Sequence, residues 1–139
     1  MQQQVFANYA KQFAPAIIWF LFTSVLLFTP GKVLPEPGDW FGKINADKLI
    51  HVGIFALLSF LIMYGFKKSM YPTKWPGSIY WKTAIGVAFW GVVTELIQGF
   101  AIPNRSMSVV DALADVLGAI SGLFIFKRFF LSKTNATAP

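Results

Sequence analysis

Eight side chains in this sequence have the types and spacings to do chemistry together: Asp47, Lys48, His51, Glu95, Gln98, Arg105, Asp111 and Asp115. Glu95, His51 and Asp111 are candidate catalytic groups, because a carboxylate or imidazole tuned towards neutrality can act as a general base. Arg105 and Lys48 are candidate phosphate grips, arginine being suited to forked contacts. Asp47, Gln98 and Asp115 complete a candidate substrate-binding set. A divalent metal on His51, Glu95 and Asp111 is a further variant, since imidazole with carboxylates suits zinc or manganese-like ions and a bound ion activates water. No motif here specifies a metal, so the cofactor is left open.

Spacing groups these residues on helix faces, because residues three or four apart are neighbours on a helix. Asp47 and His51 then share a face, as do Glu95 and Gln98. Asp111, Asp115, Gly118 and Gly122 form one stripe. Within that stripe Ala114, Gly118 and Gly122 make a small-xxx-small repeat, which lets helix backbones approach closely in lipid. Gly86 and Gly91 are candidates for the same use.

The elements that must position these groups are apolar. The chain has 139 residues, is 55% hydrophobic and 13% charged, and has a mean hydropathy of +0.56. A soluble domain carries roughly 25% charged residues. The expected fold is an all-α integral membrane bundle of four transmembrane helices, with spans at about 13–29, 46–66, 81–101 and 108–128, each near the length that crosses a hydrocarbon core of about 30 Å. Residues 1–12 form a polar N-terminus, 13–130 the transmembrane domain and 131–139 a polar tail. A cleaved signal peptide is the competing reading of the first span; the exit Thr29-Pro30-Gly31-Lys32 offers no small-x-small cleavage site. Trp40 and Phe41 suit a headgroup layer, and Asn45 is a plausible N-cap for the second span.

The absence of cysteine excludes disulfides, thiolate metal sites and a cysteine nucleophile. The net charge of +6 does not point to nucleic acid, because the basic residues flank apolar blocks, where they report topology. With four spans, Lys11, Lys67, Lys68, Lys74, Lys82, Lys127, Arg128 and Lys133 fall on one side. Lys32, Lys43, Lys48 and Arg105 fall on the other. The positive-inside rule puts both termini in the cytoplasm, and the expected location is the cytoplasmic (inner) membrane. All six acids, Glu36, Asp39, Asp47, Glu95, Asp111 and Asp115, then lie on the outer side. His51, Glu95 and Asp115 would sit roughly 6–10 Å below the outer boundary at about 1.5 Å rise per residue. Three spans thus bring polar groups to one depth.

Structural readings compete at several positions. Asp47 suits the first turn of a helix. Ser108-x-x-Asp111 fits a capping box, which would make Asp111 a cap. His51 is a candidate to hydrogen-bond Glu95 or Asp111 and lock the bundle. Arg105 suits a phosphate headgroup, and Lys48 suits snorkelling. Glu95 lies outside any cap pattern.

In order and spacing, Asp47-Lys48-x-x-His51, Thr94-Glu95-x-x-Gln98, Arg105, and Asp111 with Gly118 and Gly122 resemble the VanZ-like family of small membrane proteins. The resemblance covers about residues 13–126. At one position the chain departs, carrying Asp115 where the family commonly has asparagine. The founding member is associated with resistance to teicoplanin, a glycopeptide that binds peptidoglycan precursors. The resemblance implies a cell-envelope role, with membrane lipids and a lipid-linked cell-wall precursor or glycopeptide as partners. Three functions are compatible: an enzyme or binder of a lipid-linked phosphate at the outer leaflet, a non-enzymatic envelope or drug-binding protein, and a proton-coupled lipid flippase. Four short uninterrupted spans leave little room for the last.

Overall fold

The computed structural model describes residues 2–30, 46–69 and 76–131. Among these the chain forms four α-helices: α1 (Gln2–Phe28), α2 (Ala46–Ser69), α3 (Ser78–Ala101) and α4 (Val109–Phe130). Each contains a segment long and apolar enough to cross a membrane: Asn8–Phe28, Asp47–Ser69, Ser78–Ala101 and Val109–Phe130. Helix is the expected state for such runs, because in lipid every backbone polar group must be satisfied within the segment. The interfacial readings of Trp40 and Phe41 and the Asn45 cap lie outside the described residues.

The helix of α1 begins at Gln2, well before the span expected from residue 13. Its first turns contain Gln, Ala and Lys, which favour helix without producing an apolar stripe. Pro15 lies inside α1. It lacks an N–H and so removes one rung of the ladder, a loss that membrane helices tolerate.

Large apolar side chains cover the outside. Ile18, Val25, Phe89, Phe100, Leu117 and Phe129 are all exposed, whereas Thr94, Glu95, Asp115 and Ser59 are among the largest fully buried side chains. That inverts the usual soluble pattern and fits a multi-pass membrane protein in which polar groups face the bundle interior.

The most extensive pairing is α2 against α4, and glycines explain it. A Cβ at Gly118 would stand 2.5 Å from the Val52 carbonyl oxygen, and one at Gly122 would collide with the carbonyl of Ala56. The small-residue stripe of α4 therefore lies directly on the α2 backbone, with the two helices running the same way. Helix α3 runs opposite, and Gly91 lies against Asp115 of α4. Gly86 does not share this role, since a Cβ there would meet nothing within 4 Å. Its position on α3 faces a gap between helices, so close packing has to come from Gly91.

Helix α1 packs chiefly on α2. Trp19 Nε1 donates to the Ile54 carbonyl at 3.0 Å, and the Phe13 ring lies where a side chain at Gly65 would go. The mid-bundle core is built from Leu27, Ile54, Phe55, Leu58, Val87 and Ala119. Met63, Tyr80, Ala84, Leu123 and Phe126 fill one end. At that end Lys67 lies 4.0 Å over the Phe130 ring and Lys127 lies 4.6 Å over the Trp81 ring. The other end of the bundle, formed by the starts of α2 and α4 and the last turns of α3, holds the polar residues.

Candidate functional site

Local structure at this end follows from the connection between α3 and α4. The Arg105 N–H donates to the Ile102 carbonyl at 3.3 Å, and Asn104 has φ 59°. Proline at the second turn position and a positive φ at the third are the marks of a type II turn, which Asn tolerates. The chain then reverses within a few residues, and Ser108 becomes the N-cap of α4. Its hydroxyl accepts the Asp111 N–H at 3.2 Å.

That is half of a capping box. In the complete motif the acid at the third helical position would reach back to the N–H of the cap residue. Here Glu95 of α3 takes that N–H: Ser108 N donates to Glu95 Oε2 at 3.0 Å. The expected roles are thereby exchanged. Glu95 lies outside any cap pattern in the sequence, yet its carboxylate caps the N-terminus of α4, where the helix dipole favours negative charge. The carboxylate of Asp111 is left free of the cap and faces Lys48 and His51. The sequence pattern missed this because a cap is sought among residues adjacent in sequence, and here it crosses a turn.

His51 enters from the second turn of α2. Its Nδ1 lies 2.8 Å from Asp115 Oδ1 and 3.9 Å from Glu95 Oε1. The hydrogen-bonding partner is therefore Asp115, which depth had placed level with His51, in place of the Glu95 or Asp111 expected to lock the bundle. The reason is the seam of small residues. Gly118 brings α4 onto α2, and Gly91 lets Asp115 press against α3, so Asp115 lies between the two helices and is fully buried.

Lys48 sits at the rim. Its Nζ is 2.6 Å from Asp47 Oδ2 and 3.6 Å from Asp111 Oδ1, the second distance being ion-pair range but beyond a hydrogen bond. Three buried carboxylate oxygens are left without a hydrogen-bond donor among the described residues: Glu95 Oε1, Asp111 Oδ1 and Asp115 Oδ2. Ligand atoms of His51, Glu95 and Asp111 all lie within 4.8 Å of one another, so among the described residues these three are placed to hold a metal.

The structure thus brings His51, Glu95, Asp111 and Asp115 together, with Lys48 and Asp47 at the edge. Gln98 and Arg105 work elsewhere. Gln98 Nε2 donates to the Leu27 carbonyl at 2.9 Å, and Arg105 Nε donates to the Thr29 carbonyl at 3.4 Å. Both engage the C-terminal end of α1, whose last carbonyls have no partner within the helix. They tie α1 to the rest of the bundle, and neither hydrogen-bonds to the histidine cluster among the described residues. Thr94 is satisfied within α3, its hydroxyl donating to the Gly91 carbonyl at 2.7 Å.

The geometry defines a class: an all-helical protein with four membrane-length apolar helices among the described residues and a buried histidine–carboxylate cluster at one end. No protein-family model, curated protein or solved structure matches this chain.

Proposed function

We propose that this is a VanZ-like envelope protein of the inner membrane, with both termini cytoplasmic. In this reading it binds or acts on a lipid-linked phosphate or peptidoglycan precursor at the outer leaflet and contributes to glycopeptide (teicoplanin) tolerance. The observation that carries the reading is the buried pair of His51 and Asp115, 2.8 Å apart, beside a carboxylate and a rim lysine. Asp115 orients the imidazole, and His51 serves as the proton-transferring group. Lys48 is the nearest cation for a phosphate, and Arg105, half-buried in the α3–α4 turn, reaches a headgroup from the same end. The motif order Asp47-Lys48-x-x-His51, Thr94-Glu95-x-x-Gln98, Arg105 and Asp111 supports the family reading.

The test is turnover of polyprenyl-phosphate and lipid-linked precursor substrates by the reconstituted full chain, paired with teicoplanin susceptibility of cells carrying wild type, His51→Gln or Glu95→Gln. Loss of turnover with intact helicity in the variants supports an enzyme. Unchanged susceptibility and unchanged precursor pools in both variants overturn the reading.

A further inference from the structure

The least comfortable feature of the cluster is its charge. Glu95, Asp111 and Asp115 present three carboxyl groups at one place, and side-chain exposure is 2% for Glu95, 19% for Asp111 and 0% for Asp115. His51 contributes one positive charge at most, and only when protonated. Lys48 lies closer to Asp47 than to Asp111, so its charge is largely committed at the rim. A second observation is independent of the charge count. The buried carboxyl of Glu95 keeps Oε1 without a donor while that oxygen faces His51 Nδ1 at 3.9 Å, and Asp115 Oδ2 and Asp111 Oδ1 are orphaned beside it. Buried carboxylate oxygens with no donor are costly, and in an apolar span charged groups face partners.

We infer that His51, Glu95 and Asp111 form a binding site for a divalent first-row transition-metal ion, with Asp115 as the positioning residue behind the histidine. Imidazole nitrogen plus carboxylate oxygen is the donor set favoured by such ions, and magnesium and calcium prefer oxygen alone. The ligand atoms, within 4.8 Å of one another, need to draw together only modestly to reach the separation of about 3.4 Å that a tetrahedral ion with bonds of about 2.1 Å requires. The contact between His51 Nδ1 and Asp115 supplies the rest of the design, and it leaves Nε2 as the nitrogen for the ion. A histidine that ligates a metal through one nitrogen holds its other N–H on a carboxylate, which sets the tautomer and the ring orientation. A dication would neutralise two of the carboxylates, and Lys48, 3.6 Å from Asp111 Oδ1, is the nearby cation for an anionic ligand. The fourth span thereby gives one carboxylate to the ion and a second to its histidine, one helical turn apart.

The metal site gives the cluster of the lipid-phosphate reading its cation and makes His51 a ligand there in place of a proton carrier, and the ion can be tested without any substrate. The full chain, purified without a polyhistidine tag and reconstituted in nanodiscs, is stripped with chelator and titrated with Mn²⁺ alone and Zn²⁺ alone. Expected are one bound equivalent and an imidazole ¹⁴N coupling in the pulsed EPR spectrum of the Mn²⁺ form. Glu95→Gln and Asp111→Asn should each abolish saturable binding. Asp115→Asn should weaken it about 10–100-fold, the usual cost of losing a group that orients a ligand. Lys82→Gln, at the far end of the bundle, should leave it unchanged. Should the acid variants fail to assemble, the ¹⁴N coupling of the wild-type protein decides the matter alone. Absence of saturable binding, or binding without nitrogen coupling, overturns the site. Metal bound without turnover counts against the lipid-phosphate reading only, and turnover unaffected by chelator counts against the metal only.

Discussion

Gly91 of α3 stands against Asp115 of α4 so closely that a Cβ at position 91 would lie 2.5 Å from the Asp115 Cβ. One turn further along the same face of α3 is Glu95, whose Oε1 is 3.9 Å from the imidazole that Asp115 holds. The hydrogen atom that serves as the side chain of Gly91 is therefore a condition of the cluster, because it sets how near α4 comes to α3.

Gly91→Ala should force the two helices apart. Overpacking of this kind costs about 1–3 kcal/mol, and here the backbone shift moves the carboxyl that orients His51. The expected result is a lower thermal midpoint in detergent, with a changed imidazole resonance of His51 in NMR spectra. Retention of both would mean that α3 and α4 are not packed at this register.

The remaining glycines provide a comparison within one protein. Gly118 lies on the Val52 carbonyl of α2, whereas a Cβ at Gly86 meets nothing within 4 Å. Gly118→Ala should destabilise the bundle, because the neighbour is backbone and has little freedom to yield. Gly86→Ala should be neutral or stabilising by about 0.5–1 kcal/mol, the helix preference of alanine over glycine. Chemical or thermal unfolding of the two variants side by side measures the difference.

Much of this was legible in the sequence. The four apolar runs are helices, polar groups of three separate spans do meet at one end, His51 with Glu95 and Asp115, and Gly118 and Gly122 do line a close helix contact. Pairing was not legible. Depth along a span says which residues are level with His51, but the choice of Asp115 over Glu95 or Asp111 depends on two interhelical distances, set by Gly91 and Gly118. The exchange of roles between Glu95 and Asp111 was hidden for another reason. It depends on a turn closed by Arg105 and Asn104, and on a backbone N–H that has no signature in the residue pattern. Gln98 and Arg105 read as ligands because of their type, while their partners are carbonyl oxygens of α1, more than seventy residues away.

Glu95→Gln separates the structural duty of residue 95 from any chemical one. A glutamine keeps an acceptor for the Ser108 N–H and removes the charge at the start of α4. The stability loss should be small, about 0.3–1 kcal/mol for an anion at a helix N-terminus. Glu95→Ala should cost more, about 1–3 kcal/mol, since it strands the half-buried Ser108 N–H. Ser108→Ala, which removes the other half of the cap, should cost about 1 kcal/mol. Unfolding midpoints of the three variants should therefore rank with Glu95→Ala lowest. A Glu95→Gln protein that is as unstable as Glu95→Ala would show that the contact depends on charge and not on the acceptor.

Gln98→Leu tests the tie to α1. The substitution keeps most of the volume and removes the donor to the Leu27 carbonyl, so the stability change should be about 1 kcal/mol, the net worth of a typical hydrogen bond. The local consequence should be larger than the global one. α1 is held mainly by α2, through Trp19 and the Phe13 contact with Gly65, and its C-terminal end meets α3 through Gln98 and the turn through Arg105. Removal of one of these two ties should let the last turn of α1 open without unfolding the bundle. Hydrogen exchange should quicken for the last amides of α1 and stay unchanged in α2 and α4, and Gln98→Leu combined with Arg105→Gln should exceed the sum of the single effects. Equal acceleration across all four helices would instead mean that Gln98 supports the whole bundle.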